Sequence, residues 1–113
     1  MYKRQTHVST GQAGRWDHYI TPIGVFPHTD LILDYRAEGT YNENHIRGLG
    51  VKGMRVWDFG WQWAHRGWGE DQSPIQIRME MHATDPAILA QRIGHTASQG
   101  CIRIPEALSL IHI

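Results

Sequence analysis

Residues 75–82 read Ile75-Gln76-Ile77-Arg78-Met79-Glu80-Met81-His82, an unbroken alternation of apolar and polar side chains. A period of two is the side-chain period of a β-strand and cannot be laid along one face of a helix. This segment is therefore expected to be a half-buried strand. Ile75, Ile77, Met79 and Met81 would face a core, and Gln76, Arg78, Glu80 and His82 the other side. A second alternation at Met54–Phe59 predicts another strand, and residues 5–9 and Leu31–Tyr35 predict shorter ones. Gln12–Asp17 and Glu38–Gly50 read as loops. Residues 60–74, which hold Gly60, Gly67 and Gly69 among Trp61, Trp63 and Trp68, read as an aromatic loop. With 12 glycines and 5 prolines, the chain is expected to be mainly β.

One or two short helices fit into this pattern. Asp85 is a natural N-cap, Pro86 suits the first helical position, Ile88, Leu89 and Ile93 give an apolar stripe, and Gly94 suits the C-terminal end. Cys101-Ile102-Arg103-Ile104 would then return as a short strand beside the one ending at His82. Pro105 and Glu106 mark the start of a further helix.

At 113 residues the chain is one domain, 1–113. Its formal net charge of +0 gives no basic surplus for holding nucleic-acid phosphates. No 18-residue apolar run offers a membrane span. Met1-Tyr2-Lys3-Arg4 is not followed by the apolar stretch of an export signal. A single cysteine excludes an internal disulfide. The eight histidines lack metal-ligand spacing, and no cofactor is expected.

That cysteine lies in Ser98-Gln99-Gly100-Cys101-Ile102-Arg103. A lone cysteine often serves as a small buried apolar residue. Beside a histidine it becomes a candidate acyl nucleophile, because an imidazole can take the thiol proton and later return it to a leaving amine. His82 is the candidate base, and His95 its rival. The Ala83 carbonyl or a side chain near Thr84 would orient the His82 ring. The N–H groups of Gly100 and Cys101, with Gln99, would line an oxyanion hole.

The same residues resemble the signature of L,D-transpeptidases of the YkuD type. That signature has a histidine, some fifteen residues, then Ser/Thr-x-Gly-Cys-hydrophobic-Arg. Here fifteen residues separate His82 from Ser98. Val8-Ser9-Thr10-Gly11 and Thr21-Pro22-Ile23-Gly24-Val25-Phe26 match two upstream marks of the family, VSTG and TPxGxF, in the right order. The resemblance implies a mostly β, sandwich-like fold and a cysteine enzyme of the cell envelope or periplasm. Cys101 would be the nucleophile, His82 the base and the Ala83 carbonyl its orienter. Ser98, Gln99, Gly100 and Arg103 would shape the site.

The implied reaction forms a thioester with a peptidoglycan stem tetrapeptide, releases the terminal D-alanine and passes the acyl group to an amine. That amine belongs to another stem or to an anchored lipoprotein. Hydrolysis by the same acyl-enzyme, as in an L,D-carboxypeptidase, and a non-catalytic wall-binding fragment are the alternatives. Many members have His or Arg where this chain has Gln99, and Gly where it has Ala83. Against the family's extent, the domain is expected to be partial, lacking strands at each end and an export signal. The tryptophans at 57, 61, 63 and 68 are expected to form a cluster serving as core, lid or platform. Arg47, Lys52, Arg55 and Arg66 are expected at the surface, one of them available to an acidic peptide.

Overall fold

The computed structural model describes residues 6–26, 28, 34–70, 73–87, 93–96 and 98–109. Among these the chain is mainly β. Its strands are β1 (Tyr19–Ile20), β2 (Tyr35–Arg36), β3 (Arg55–Arg66), β4 (Pro74–His82) and β5 (Ile102–Arg103), followed by a one-turn helix α1 (Glu106–Ser109). The sheet order is β1-β3-β4-β5, with β2 also on β3. All pairings are antiparallel except β4 with β5, which run parallel, so the sheet is mixed. No helix among the described residues is long and apolar enough to cross a membrane.

β4 forms where the alternation predicts it, but its two faces are not simply inside and outside. Met79 is buried, Ile77 and Met81 are half-buried and Ile75 is exposed. The strand enters the core only toward its C-terminal end. His82, expected on the side away from the core, is only 5% exposed.

β3 is the larger departure. The expected loop over residues 60–74 is strand as far as Arg66. Gly60 does not break it, because the ladder with β4 shifts register between Asp58 and Trp61. Asp58 pairs with Glu80 and Trp61 with Arg78, so Phe59 and Gly60 together oppose Met79 as a β-bulge. The extra residue restores the alternation: Asp58, Trp61 and Trp63 share the face of Glu80, Arg78 and Gln76. The four tryptophans consequently do not cluster. Trp57 is buried, Trp61 and Trp63 are 61% and 64% exposed, and Trp68 packs edge-on against Trp16 and Tyr19, each at 5.2 Å.

The apolar core is small. Ala37, Met54, Val56 and Ala83 are packed together with Leu49 and Val51 against them. It lies directly beneath the C-terminal end of β4, which makes that end the firmly held one. Asp85 caps as expected at its start: Oδ1 accepts the Ala87 N–H at 3.0 Å. Ile88 and Leu89 of the helix expected there lie outside the described residues, as do residues 31–33 of the strand expected at Leu31–Tyr35. Over residues 6–9 the strand expected at 5–9 is not formed, and only an isolated bridge from Ser9 to Arg103 marks it. The helix expected from Pro105 is α1, in which the Pro105 carbonyl accepts the Leu108 and Ser109 N–H groups at 3.1 and 3.3 Å.

Candidate active site

The crossover after β4 brings the chain back as β5, with Met81 beside Ile102 and His82 beside Arg103. Cys101 directly precedes β5, so it stands next to Glu80 at the end of the ladder, diagonal to His82. Strand spacing and rise put such diagonal neighbours roughly 8 Å apart at Cα. Both residues line one open cleft of about 660 Å³, together with Ser98, Gln99, Arg78 and Arg103. The same cleft is lined by the loop containing Asn42, Asn44, Ile46, Gly48 and Leu49. This loop is stiffened by Asn42, whose Oδ1 accepts the Asn44 and Ile46 N–H groups at 2.8 and 3.1 Å. It is tied to the segment following β4 by the Arg47 N–H, which donates to buried Asp85 Oδ2 at 3.0 Å.

The imidazole is fixed by one hydrogen bond. His82 Nδ1 lies 2.5 Å from the Ala83 carbonyl oxygen. A carbonyl only accepts, so Nδ1 carries the proton and Nε2 keeps its lone pair. Burial pushes the His82 pKa down to about 4, against the opposing effect of the Ala83 hydrogen bond and with a smaller lowering from the Arg103 cation. At neutral pH the ring is an uncharged base in a set tautomer. Ala83 holds its carbonyl in place by burying its methyl group completely in the small core.

The thiol is also in its neutral form. Burial raises the Cys101 pKa, with the Glu80 and Asp58 carboxylates adding to the rise; the Glu80 backbone and Arg103 oppose it. Sγ–H donates to the Arg78 carbonyl at 3.7 Å. In this geometry the sulfur faces the backbone of β4 rather than Nε2.

The loop carrying the cysteine is held from several sides. Ser98 Oγ accepts the Gly100 N–H at 3.2 Å and donates to the Cys101 carbonyl at 2.5 Å. The Gly100 N–H, expected to help line an oxyanion hole, is therefore engaged by Ser98. Gly100 itself has φ +131, and a Cβ there would lie 2.8 Å from Ile77 Cδ1, so an L side chain would be strained twice over. The exposed Gln99 turns its amide to Asp17, 3.4 Å from Oδ2. His95 does not line the cleft among the described residues.

The two upstream segments converge on this same loop. Ser9 exchanges two backbone hydrogen bonds with Arg103, at 2.9 and 2.8 Å. Ser98 donates to the Thr10 carbonyl and accepts from Gln12. Thr21 Oγ1 donates to the Gly100 carbonyl and accepts the Gly11 N–H, both at 2.8 Å. Gly11 permits this approach, since a Cβ would sit 1.9 Å from the Tyr19 oxygen. Val8–Gly11 and Thr21, from the two upstream matches to the signature, thus supply partners of the cysteine loop.

Two further site residues were not singled out from sequence. Arg78 Nε lies 2.9 and 3.0 Å from the two oxygens of Asp58, and Nη2 completes the pair on Oδ2. Glu80 accepts the Tyr35 hydroxyl at 2.8 Å, and burial raises its pKa. Their signal was present: both share the polar face of β4 with His82. The surface cations considered from sequence lie elsewhere, with Arg55 on Asp34 at 2.8 Å and Arg47 and Arg66 against Tyr41 and Trp68. Among the described residues no group of three His, Cys, Asp or Glu side chains is placed to hold a metal ion. The chain matches no family model and no curated protein.

Proposed function

We propose that the chain is a cysteine acyltransferase of the L,D-transpeptidase kind, acting on peptidoglycan stem tetrapeptides in the cell envelope, on a domain of that family's β-sandwich type. One observation carries the proposal. Cys101 and His82 line a single cleft, and the His82 Nδ1–H is spent on Ala83, which leaves Nε2 as the free basic nitrogen. Of the two orienters open from sequence, the hydrogen bond favours the Ala83 carbonyl. The convergence of the two upstream signature segments on the cysteine loop supports the same reading.

Because both partners are neutral, the chemistry is general base catalysis rather than a standing ion pair. Rotation of the Cys101 side chain off the Arg78 carbonyl turns the thiol toward the imidazole. Nε2 takes the Sγ proton as sulfur bonds to the carbonyl carbon of the third stem residue. The resulting imidazolium returns that proton to the nitrogen of the departing D-alanine as the C–N bond breaks, leaving a thioester. An acceptor amine then attacks the thioester, gives its proton to Nε2, and the thiol is restored.

The test is intact-mass measurement after exposure to a carbapenem and, separately, to a stem tetrapeptide. The expected results are a covalent adduct absent from Cys101→Ala and formed at least 100-fold more slowly in His82→Ala, and release of D-alanine with formation of a cross-linked dimer. Tripeptide alone as product would assign the hydrolytic alternative. Folded protein with no adduct would remove the acyltransferase reading.

A further inference from the structure

Arg78 is built in a way that the acyl-transfer steps above do not use. Its partner Asp58 is only 2% exposed, and both carboxylate oxygens are committed to the guanidinium. That contact consumes the edge of the fork formed by Nε and Nη2 and lowers the Asp58 pKa, so the carboxylate stays charged. The Trp61 ring lies 6.0 Å from the guanidinium carbon. The side chain is nonetheless 47% exposed, and it forms part of the cleft wall with Cys101. The result is a planar cation with its orientation already settled and a free edge, Nη1, remaining. An arginine held this way has lost its rotamer entropy before a ligand arrives, which favours bidentate or end-on capture of a carboxylate.

Its position fits one particular carboxylate. Sγ of Cys101 is 3.7 Å from the carbonyl of Arg78 itself, so nucleophile and guanidinium are separated by about one side-chain length. In a peptide, the carboxylate of a terminal residue lies about 3–4 Å beyond the carbonyl carbon from which that residue departs. Because Arg78 and Cys101 line the same cleft, a carbonyl attacked by Sγ leaves the departing residue's carboxylate within reach of the Arg78 guanidinium when that residue lies along the Arg78 wall. A donor continuing through another peptide bond would present a neutral amide there instead.

We propose that Arg78, locked by Asp58, is the anchor for the free terminal carboxylate of the acyl donor and restricts the site to donors that lose a single C-terminal residue. The assignment rests on the acyl-transfer reading of Cys101 and makes Arg78 the determinant of donor specificity within it.

The experiment compares two probes, a stem tetrapeptide ending in free D-alanine and the same peptide as its C-terminal amide. Thioester formation on the wild-type protein, read by intact mass, is expected to be about 10- to 100-fold faster with the free acid, the range of one charge-assisted hydrogen bond. Arg78→Gln is expected to bring the two probes within about two-fold of each other, and Arg78→Lys to retain part of the difference. Equal rates for acid and amide on the wild type would overturn the proposal. So would an Arg78→Gln variant that slows both probes by one factor, which is what a purely structural ion pair does.

Calorimetric titration of Cys101→Ala with the same two peptides separates this inference from the function it rests on. Tighter binding of the acid, lost in Cys101→Ala/Arg78→Gln, supports the anchor even if no thioester forms on the wild type, an outcome that removes only the acyltransferase reading. Equal binding of both peptides, with thioester still forming, removes the anchor alone.

Discussion

At the residue scale, the two candidate catalytic groups are held neutral by burial, and each consequence can be measured. An imidazole in an unfolded chain titrates near 6.5, whereas folded His82 does so at about 4. Between those values the unfolded chain binds a proton that the folded ring refuses. Stability therefore falls as pH drops from about 6.5 to 4, by up to roughly 3 kcal/mol from this group. Urea unfolding across that range should show the loss, and His82→Gln should flatten it. An unchanged slope in His82→Gln would assign the effect to other groups. Cys101 carries the complementary expectation. Its alkylation by a neutral reagent should rise only above the ordinary thiol range, because burial opposes the thiolate.

Elements carry the positioning, and the least replaceable contact among them is between chain segments rather than side chains. Gly11 lies so close to the Tyr19 carbonyl that a methyl group would overlap it. Gly11→Ala must push β1 away from the segment that pairs with Ser98, and Thr21 then loses its bridge from Gly11 to Gly100. A loss of about 3 kcal/mol or more in urea unfolding is expected, with acylation by a carbapenem slowed in the fraction that still folds. Wild-type stability in this variant would mean that the approach is looser than described.

β4 was legible because its alternation is local, and so was the return of Cys101–Ile104 beside it. The length of β3 was not. Gly60 reads as a break in a one-dimensional pattern, and only the pairing with β4 reveals it as a bulge that puts Trp61 and Trp63 in step. Burial of His82 was equally hidden, because alternation marks the face of a strand but not what packs over that face. Cys101 and His82 could be picked out as candidates from residue type and spacing, and they line one cleft. The Ser98 clamp on Gly100 and the Asp58 lock on Arg78 depend on side-chain directions that spacing does not carry.

For the whole molecule, charge balance conceals a local field. The formal net charge is +0, yet the cleft is lined by Arg15, Arg78 and Arg103, with Asp17 beside them and Asp58 paired to Arg78. Ions screen such a field over about 10 Å at 0.1 M salt. Acylation by an anionic stem peptide is therefore expected to slow several-fold between about 0.02 and 0.5 M salt, with a much weaker dependence for a neutral donor. Rates independent of salt would show that the carboxylates of the fold, Asp58 on Arg78 among them, offset the cleft arginines.

The parallel pairing of β4 with β5 has a consequence for how such a molecule comes into being. A hairpin can close locally, but two parallel neighbours must be joined by a crossover, here the chain between His82 and Ile102. The entropy of closing that crossover is met before its contacts form. Until then Cys101 is an ordinary thiol on a flexible chain, with neither the imidazole nor the cleft beside it. On the proposed acyl-transfer reading, covalent labelling would count finished molecules rather than polypeptides, and its time course during refolding would follow one late event, the arrival of β5.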